Sequence, residues 1–175
     1  MYGGRPRTRV IEIRKEQPDD IPVIRSINRA AFQQDLEGRI VDALRANGAA
    51  LLSLVATQNG EVVGHIFYSA ASIGALTGAA LGPMAVRPDC QRQGIGTRLV
   101  EAGNSMLEDS GCPFVIVVGH PGYYPRFGFT PAGHQGITCE WEVPNEAFMM
   151  LVLNERVMRG VSGLAKYRPE FSSIS

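Results

Sequence analysis

"AALGPMAVRPDCQRQGIGTRLV", residues 79–100, sets the fold. Its first part, Ala79 to Val86, is a continuous apolar run without alternation, the pattern of a strand buried on both faces. Beyond the loop, Ile95, Leu99, Ala102 and Met106 recur at helical spacing, and Ser110-Gly111 stops the helix. A second buried run, "PFVIVVG" (Pro113 to Gly119), follows at once. Strand, helix and strand at this separation make a βαβ crossover, which requires two locally parallel strands.

Working outward, "RVIEIRK" (Arg9 to Lys15) alternates as a half-buried strand does. Asp19 or Asp20 offers an N-cap for a helix carrying Ile21, Ile24, Ile27 and Ala31 on one face, and a second helix is expected from Leu36 to Ala46, stopped by Asn47-Gly48. Asn59-Gly60 between "LLSLVAT" and "EVVGHIFYSA" is a hairpin signal, so an antiparallel pair belongs here. "FGFTPA" and "AFMMLVL" (Ala147 to Leu153) add short strands. The sum is an α/β (α+β) domain with a mixed, mostly antiparallel sheet, parallel at one step and flanked by helices. Residues 1–9 are expected to form a flexible basic tail and residues 10–175 a single domain.

The 175 residues include 17 basic and 17 acidic side chains, so no global charge draws the chain to nucleic acid or anionic membrane. No apolar run approaches the roughly 20 residues of a membrane helix, and the first ten residues lack the apolar core of a secretory signal, which together predict a cytoplasmic protein. Cys90, Cys112 and Cys139 are too far apart for a C-x-x-C site, and no metal is expected.

Any anion site must therefore be local, and residues 90–98 supply one. A helix start leaves N–H groups unpaired and carries partial positive charge, and Gly94 and Gly96 let a phosphate approach them. Arg87, Arg92 and Arg98 outnumber Asp89 around it. A dinucleotide fingerprint fails for want of a third glycine and the following acidic residue, and a P-loop for want of Gly-Lys-Ser/Thr. Pro83 cannot donate within a central strand, so a bulge or splaying at Gly82-Pro83 is expected, leaving backbone groups free for a ligand.

Gln91-Arg92-Gln93-Gly94-Ile95-Gly96 resembles the Q/R-x-x-G-x-G/A loop of the GNAT acetyltransferases, and Tyr124 with Gly128-Phe129 resembles that family's Y-x-x-x-G-F pattern after the fifth strand. The likeness runs from about Val10 to Tyr167 and is similar to the YhbS-like branch of predicted N-acetyltransferases. It implies acetyl-CoA, or coenzyme A after transfer, as co-substrate, in a wedge between the two parallel strands. Its pyrophosphate would lie on the loop and helix start (Gln91, Arg92, Gln93, Gly94, Ile95, Gly96, Thr97, Arg98). Its pantetheine arm would pair with the backbone of Met84, Ala85 and Val86, and an N–H near Val86 would face the reacting oxygen.

The resemblance further implies transfer of the acetyl group to a primary amine by direct attack in a ternary complex, with Tyr124 as general acid. The amine could belong to a small molecule, a protein or a peptide. Two residues are candidates for the base: Glu37, in the segment where the family builds acceptor sites, and His120, whose ordinary pKa near 6.5 suits proton transfer. Tyr123 would pack, His65 would be structural, and Trp141, Glu142, Phe148 and "GVSG" (residues 160–163) could line the acceptor side. The family's habit of pairing through sheet edges implies a homodimer. Two other readings use the same residues: a CoA or acyl-CoA sensor without turnover, and a transferase for longer acyl chains.

Overall fold

Asn59 and Gly60 sit at φ 52° and 84°, both in the left-handed region that a two-residue hairpin turn requires. They join β2 (Ala50–Gln58) to β3 (Glu61–Ile73), whose register starts at Gln58↔Glu61. The computed structural model describes residues 9–174, so the predicted tail lies, except for Arg9, outside the described residues. Around the hairpin the chain runs β1 (Ile11–Lys15), α1 (Ile21–Phe32), α2 (Leu36–Ala46), β4 (Leu76–Val86), α3 (Ile95–Asp109), β5 (Phe114–Val118), β6 (Thr130–Pro131), β7 (Ile137–Cys139), β8 (Phe148–Val152), α4 (Glu155–Met158) and β9 (Gly163–Lys166).

The described strands form one mixed sheet in the order β1-β2-β3-β4-β5-β8-β6, with β9 pairing both β3 and β7. The β1 to β4 run is antiparallel and β4–β5 is parallel, as the crossover requires. Alternation along β2 divides the core: Leu54 and Ala56 pack beneath Ile95, Leu99 and Val100 of α3, whereas Val55 joins Ile24 and Ile27 of α1 on the opposite face. On that second face Ile40, Val41 and Leu44 of α2 cover Phe67. Each fully buried side chain of this size contributes about 1.5–3 kcal/mol.

Asp20 does occupy the N-cap of α1, but its side chain makes no cap bond. The carboxylate accepts instead from Arg14 Nη1 (2.7 Å) and Nη2 (3.0 Å) and from the Gln17 N–H (2.7 Å), tying the helix start to β1.

Two irregularities in β4 open the sheet at its centre. The pairing with β3 passes from Tyr68↔Leu81 to Ile66↔Met84, so Gly82 and Pro83 together oppose Phe67 alone, a bulge at the expected place. The pairing with β5 is limited to Ala79↔Val115 and Ala80↔Ile116. Beyond Ala80 the two strands part, and no strand among the described residues fills the gap.

Candidate active site

The gap exposes one edge of β4, and strand parity says which groups face it. The Arg87 N–H donates to the Val63 carbonyl (2.8 Å), and in that register Ala85 also turns its backbone toward β3. Met84 and Val86 therefore turn theirs into the gap, where the Val86 carbonyl accepts from Gln91 Nε2 (3.0 Å). Ala85, expected to pair with the ligand, is instead committed twice: its backbone faces β3, and its buried side chain packs with Ile24 and Ile27.

At one end of the gap lies a hollow of about 510 Å³, lined by Met84, Val86, Cys90, Gln91, Arg92, Gly94, Ile95, Gly96, Thr97, Tyr123 and Arg126. Gly94 caps α3 at φ 80° with no side-chain cap bond. The first intrahelical bond at this end is Arg98 N–H to Gly94 C=O (3.1 Å), so the N–H groups of Ile95, Gly96 and Thr97 have no acceptor within the helix. A Cβ on Gly96 would stand 3.1 Å from the Tyr123 hydroxyl, so glycine keeps that floor bare.

The charge there differs from the expected set. Arg87 is neutralised by Glu61 and Asp89, each at 2.7 Å. Arg98 donates to the Ile11 carbonyl (2.8 Å), and Gln93 accepts from Arg9 (2.8 Å); neither Arg98 nor Gln93 lines the hollow. Arg92 stays, and the missing cation arrives from the "YYPRFGF" segment. The guanidinium of Arg126 lies 4.5 Å from the centre of the Tyr123 ring, with Nε donating to the Tyr123 carbonyl (2.9 Å). The clue was an arginine inside the second motif, four residues from a loop glycine whose carbonyl it also reaches.

Met84 also borders a second hollow, of about 290 Å³, lined by Phe32, Glu37, Ile40, Leu81, Gly82, Pro83, Val117, Val118, Tyr124, Trp141, Tyr167 and Phe171. The Tyr124 ring reaches it because Gly119 has no Cβ to block it. Edge contacts to Tyr123 (5.1 Å) and Phe129 (5.6 Å) hold the ring. Burial, then the neighbouring Tyr123, pushes the Tyr124 pKa up to about 12, so its hydroxyl keeps its proton at neutral pH. Glu37 opens α2 just after the turn at Gln33 (φ 57°). Its Oε1 accepts from Gln34 Nε2 (2.8 Å), while its Oε2 is buried with no hydrogen-bond partner among the described residues.

The structure thus brings Glu37 and Tyr124 to one cavity. His120 is exposed on the loop after β5, its Nδ1 accepting from the Gly122 N–H (3.4 Å), and it lines neither hollow. Trp141 is in the cavity wall, but Glu142 and Phe148 line a different hollow of about 590 Å³ that shares only Trp141 with it, and Gly160, Val161 and Ser162 line a third. Phe32, Ile40, Tyr167 and Phe171 were not anticipated as cavity residues: helical spacing marks Ile40 for the core of α2, and no local periodicity marks the other three. His65 is structural: fully buried, it lies between Asn28 Nδ2 (3.3 Å) and Ser53 Oγ (2.9 Å), and burial with the nearby Arg45 charge lowers its pKa to about 3. Among the described residues no three His, Cys, Asp or Glu gather as a metal site needs, the three cysteines are free, and no helix is long and apolar enough to cross a membrane.

Residues 50–131 match the model of the acetyltransferase (GNAT) domain family. The chain is 34% identical over 163 residues to the uncharacterized N-acetyltransferase YhbS of Escherichia coli, covering 91% of this chain and 98% of that one. It is 37% identical over 134 residues to E. coli YjhQ, also an uncharacterized N-acetyltransferase, covering 73% and 74%. In three dimensions it is similar to the crystal structure of E. coli YhbS in complex with CoA (TM-score 0.90, 33% identity, 98% and 96% covered). It is also similar to a GNAT family acetyltransferase from Brucella melitensis in complex with acetyl-CoA (TM-score 0.77, 35% identity, 93% and 98% covered). Sequence, sheet topology and these likenesses agree: the chain belongs to the GNAT acetyltransferase family.

Proposed function

We propose that the protein is an N-acetyltransferase that moves the acetyl group of acetyl-CoA to a primary amine by direct attack within a ternary complex. One observation carries the reading: a splayed, bulged strand edge joins two hollows at Met84, one floored by free helix N–H groups and the other holding Glu37 and Tyr124. The two similar crystal structures that hold CoA or acetyl-CoA support it.

The residues fit the co-substrate. The N–H groups of Ile95, Gly96 and Thr97, with Arg92 and Arg126, suit a pyrophosphate. The backbone of Met84 and Val86 offers the amide-bearing arm the pairing that β5 withdraws. The thioester then lies near the bulge, where a β4 N–H stabilises charge developing on its oxygen.

Glu37 takes the proton the amine must lose, directly or through one water, so that a neutral nitrogen attacks. As the C–N bond forms and the C–S bond breaks, Tyr124 donates its proton to the departing sulfur. His120 has no part in this scheme, because the geometry leaves it outside the cavity.

Calorimetric titration with acetyl-CoA and CoA, alongside thiol release with a panel of amines, tests the reading. Binding with amine-dependent release is expected. Binding without release across the panel would favour the sensor reading, and absence of binding would overturn the assignment of the helix-start loop.

A further inference from the structure

Two residues that line the 290 Å³ cavity, Glu37 and Tyr167, each carry a buried polar atom, Oε2 and Oη, with no hydrogen-bond partner among the described residues. Buried polar atoms are nearly always paired in folded proteins, so two on the wall of one cavity call for a partner from outside the chain, a bound ligand or ordered water. Their types specify it. A carboxylate oxygen only accepts, and a tyrosine hydroxyl can accept, so the complement is a group rich in donors, as an ammonium is. Burial holds the Tyr167 pKa well above its ordinary value, which keeps that hydroxyl uncharged.

The rest of the wall is apolar and aromatic. Trp141 and Tyr167 face each other at 4.2 Å and 31°, and Phe171 meets the edge of Tyr167 at 5.4 Å. Contacts within the chain hold this wall. The Tyr167 N–H donates to Glu140 (2.8 Å), next to Trp141, and Phe171 packs against the cluster that includes Ile40, Val41 and Leu44 of α2. Among the described residues Glu37 is the only charged one of the lining, which includes no arginine, lysine or histidine.

We propose that the acceptor is a small arylalkyl primary amine with no other charge, its nitrogen between Glu37 and Tyr167 and its ring against Trp141 and Phe171. This rests on the acetyltransferase reading of the same cavity. The volume sits at the low end for a small-molecule site. An amino acid would bring a carboxylate that meets no cation, and a polyamine or aminosugar would bring ammonium groups with a single carboxylate to share. A lysine side chain satisfies Glu37 but leaves the aromatic wall uncovered.

Trp141 is the chain's only tryptophan, so its emission reports on this cavity independently of thiol release. The full chain is titrated with phenethylamine, phenylalanine and the methyl ester of Nα-acetyl-lysine, each with and without CoA. Phenethylamine is expected to change the emission saturably, with the other two about tenfold weaker or worse. Glu37→Gln should weaken phenethylamine by roughly 10- to 100-fold, and Tyr167→Phe by a smaller factor, with calorimetric CoA affinity and far-UV circular dichroism unchanged. Equal binding of phenylalanine, stronger binding of the lysine ester, or no saturable change with or without CoA each overturns the proposal. CoA binding without any phenethylamine effect sinks this inference alone, whereas phenethylamine binding without CoA affinity sinks the co-substrate reading alone.

Discussion

Gly119 and Tyr124 share one space: a Cβ on the glycine would overlap the Tyr124 ring, with Cδ2 at 2.8 Å and Cε2 closer still. No positive φ constrains Gly119, so the requirement is room alone. Gly119→Ala is expected to displace the ring, lowering stability by about 1–3 kcal/mol through overpacking. Turnover should fall with it while CoA affinity holds. Tyr124→Phe keeps the packing and should lose turnover by roughly 10²–10⁴-fold. With its pKa pushed up to about 12, Tyr124 should also impose no alkaline fall in rate below about pH 10. Thiol release across pH checks all three; undiminished turnover in Tyr124→Phe would remove its acid role.

Arg126 is expected to matter to the co-substrate as much as the loop does. Arg126→Ala should weaken CoA by roughly 10-fold or more, and the loss should shrink as salt rises. Gly96→Glu should abolish binding outright, since it adds bulk beside Tyr123 and a negative charge where phosphate belongs. Calorimetry at two ionic strengths decides; a salt-independent loss in Arg126→Ala would point to collapse of the Tyr123 stack instead.

Removing the carboxylate should expose the proton problem of the acceptor. Glu37→Gln is expected to slow transfer by roughly 10²–10⁴-fold at neutral pH and to recover part of the rate as pH rises and the free amine deprotonates by itself. Unchanged turnover at pH 7 would exclude Glu37 as the base.

His65 makes the fold sensitive to acid. Its folded pKa of about 3 lies below the unfolded value of 6.5, so the unfolded chain binds the extra proton first. The stability that the neutral ring contributes is fully present above pH 6.5 and is lost as pH falls toward 3, at up to about 1.4 kcal/mol per pH unit. Asp20, held below its ordinary pKa by Arg14, adds to the loss only at the acid end. Chemical denaturation from pH 7 to pH 4 should show the decline. A His65→Gln variant, though less stable at pH 7, should show a flatter profile; an equally steep one would assign the acid sensitivity to other groups.

The legibility of fold and site in the sequence tracks the range of the interactions. The Asn59-Gly60 hairpin, the α2 boundaries and the βα loop are written in local chemistry, and each stands where the sequence places it. The Gly82-Pro83 bulge was readable from one proline's missing N–H. By contrast β7 and β9, three and four residues long, exist because they pair with each other and β9 with β3, partners distant in the chain. Ala85 and Arg98 were expected against the co-substrate, but strand parity turns the first toward β3 and a bond to the Ile11 carbonyl holds the second away. Tyr167 and Phe171 become cavity walls only through long-range packing, which no spacing of residues announces.

The aromatic wall has a consequence for how specificity can change. The family match, residues 50–131, ends before Trp141, Tyr167 and Phe171, so these three aromatic walls of the cavity lie on a different stretch of the polypeptide from the helix-start loop. Substitutions at these three positions would reshape the cavity wall without touching the helix-start loop. Under the proposed function, exchanging the stretch that carries them between relatives is expected to alter which amine is accepted while leaving coenzyme A affinity in place.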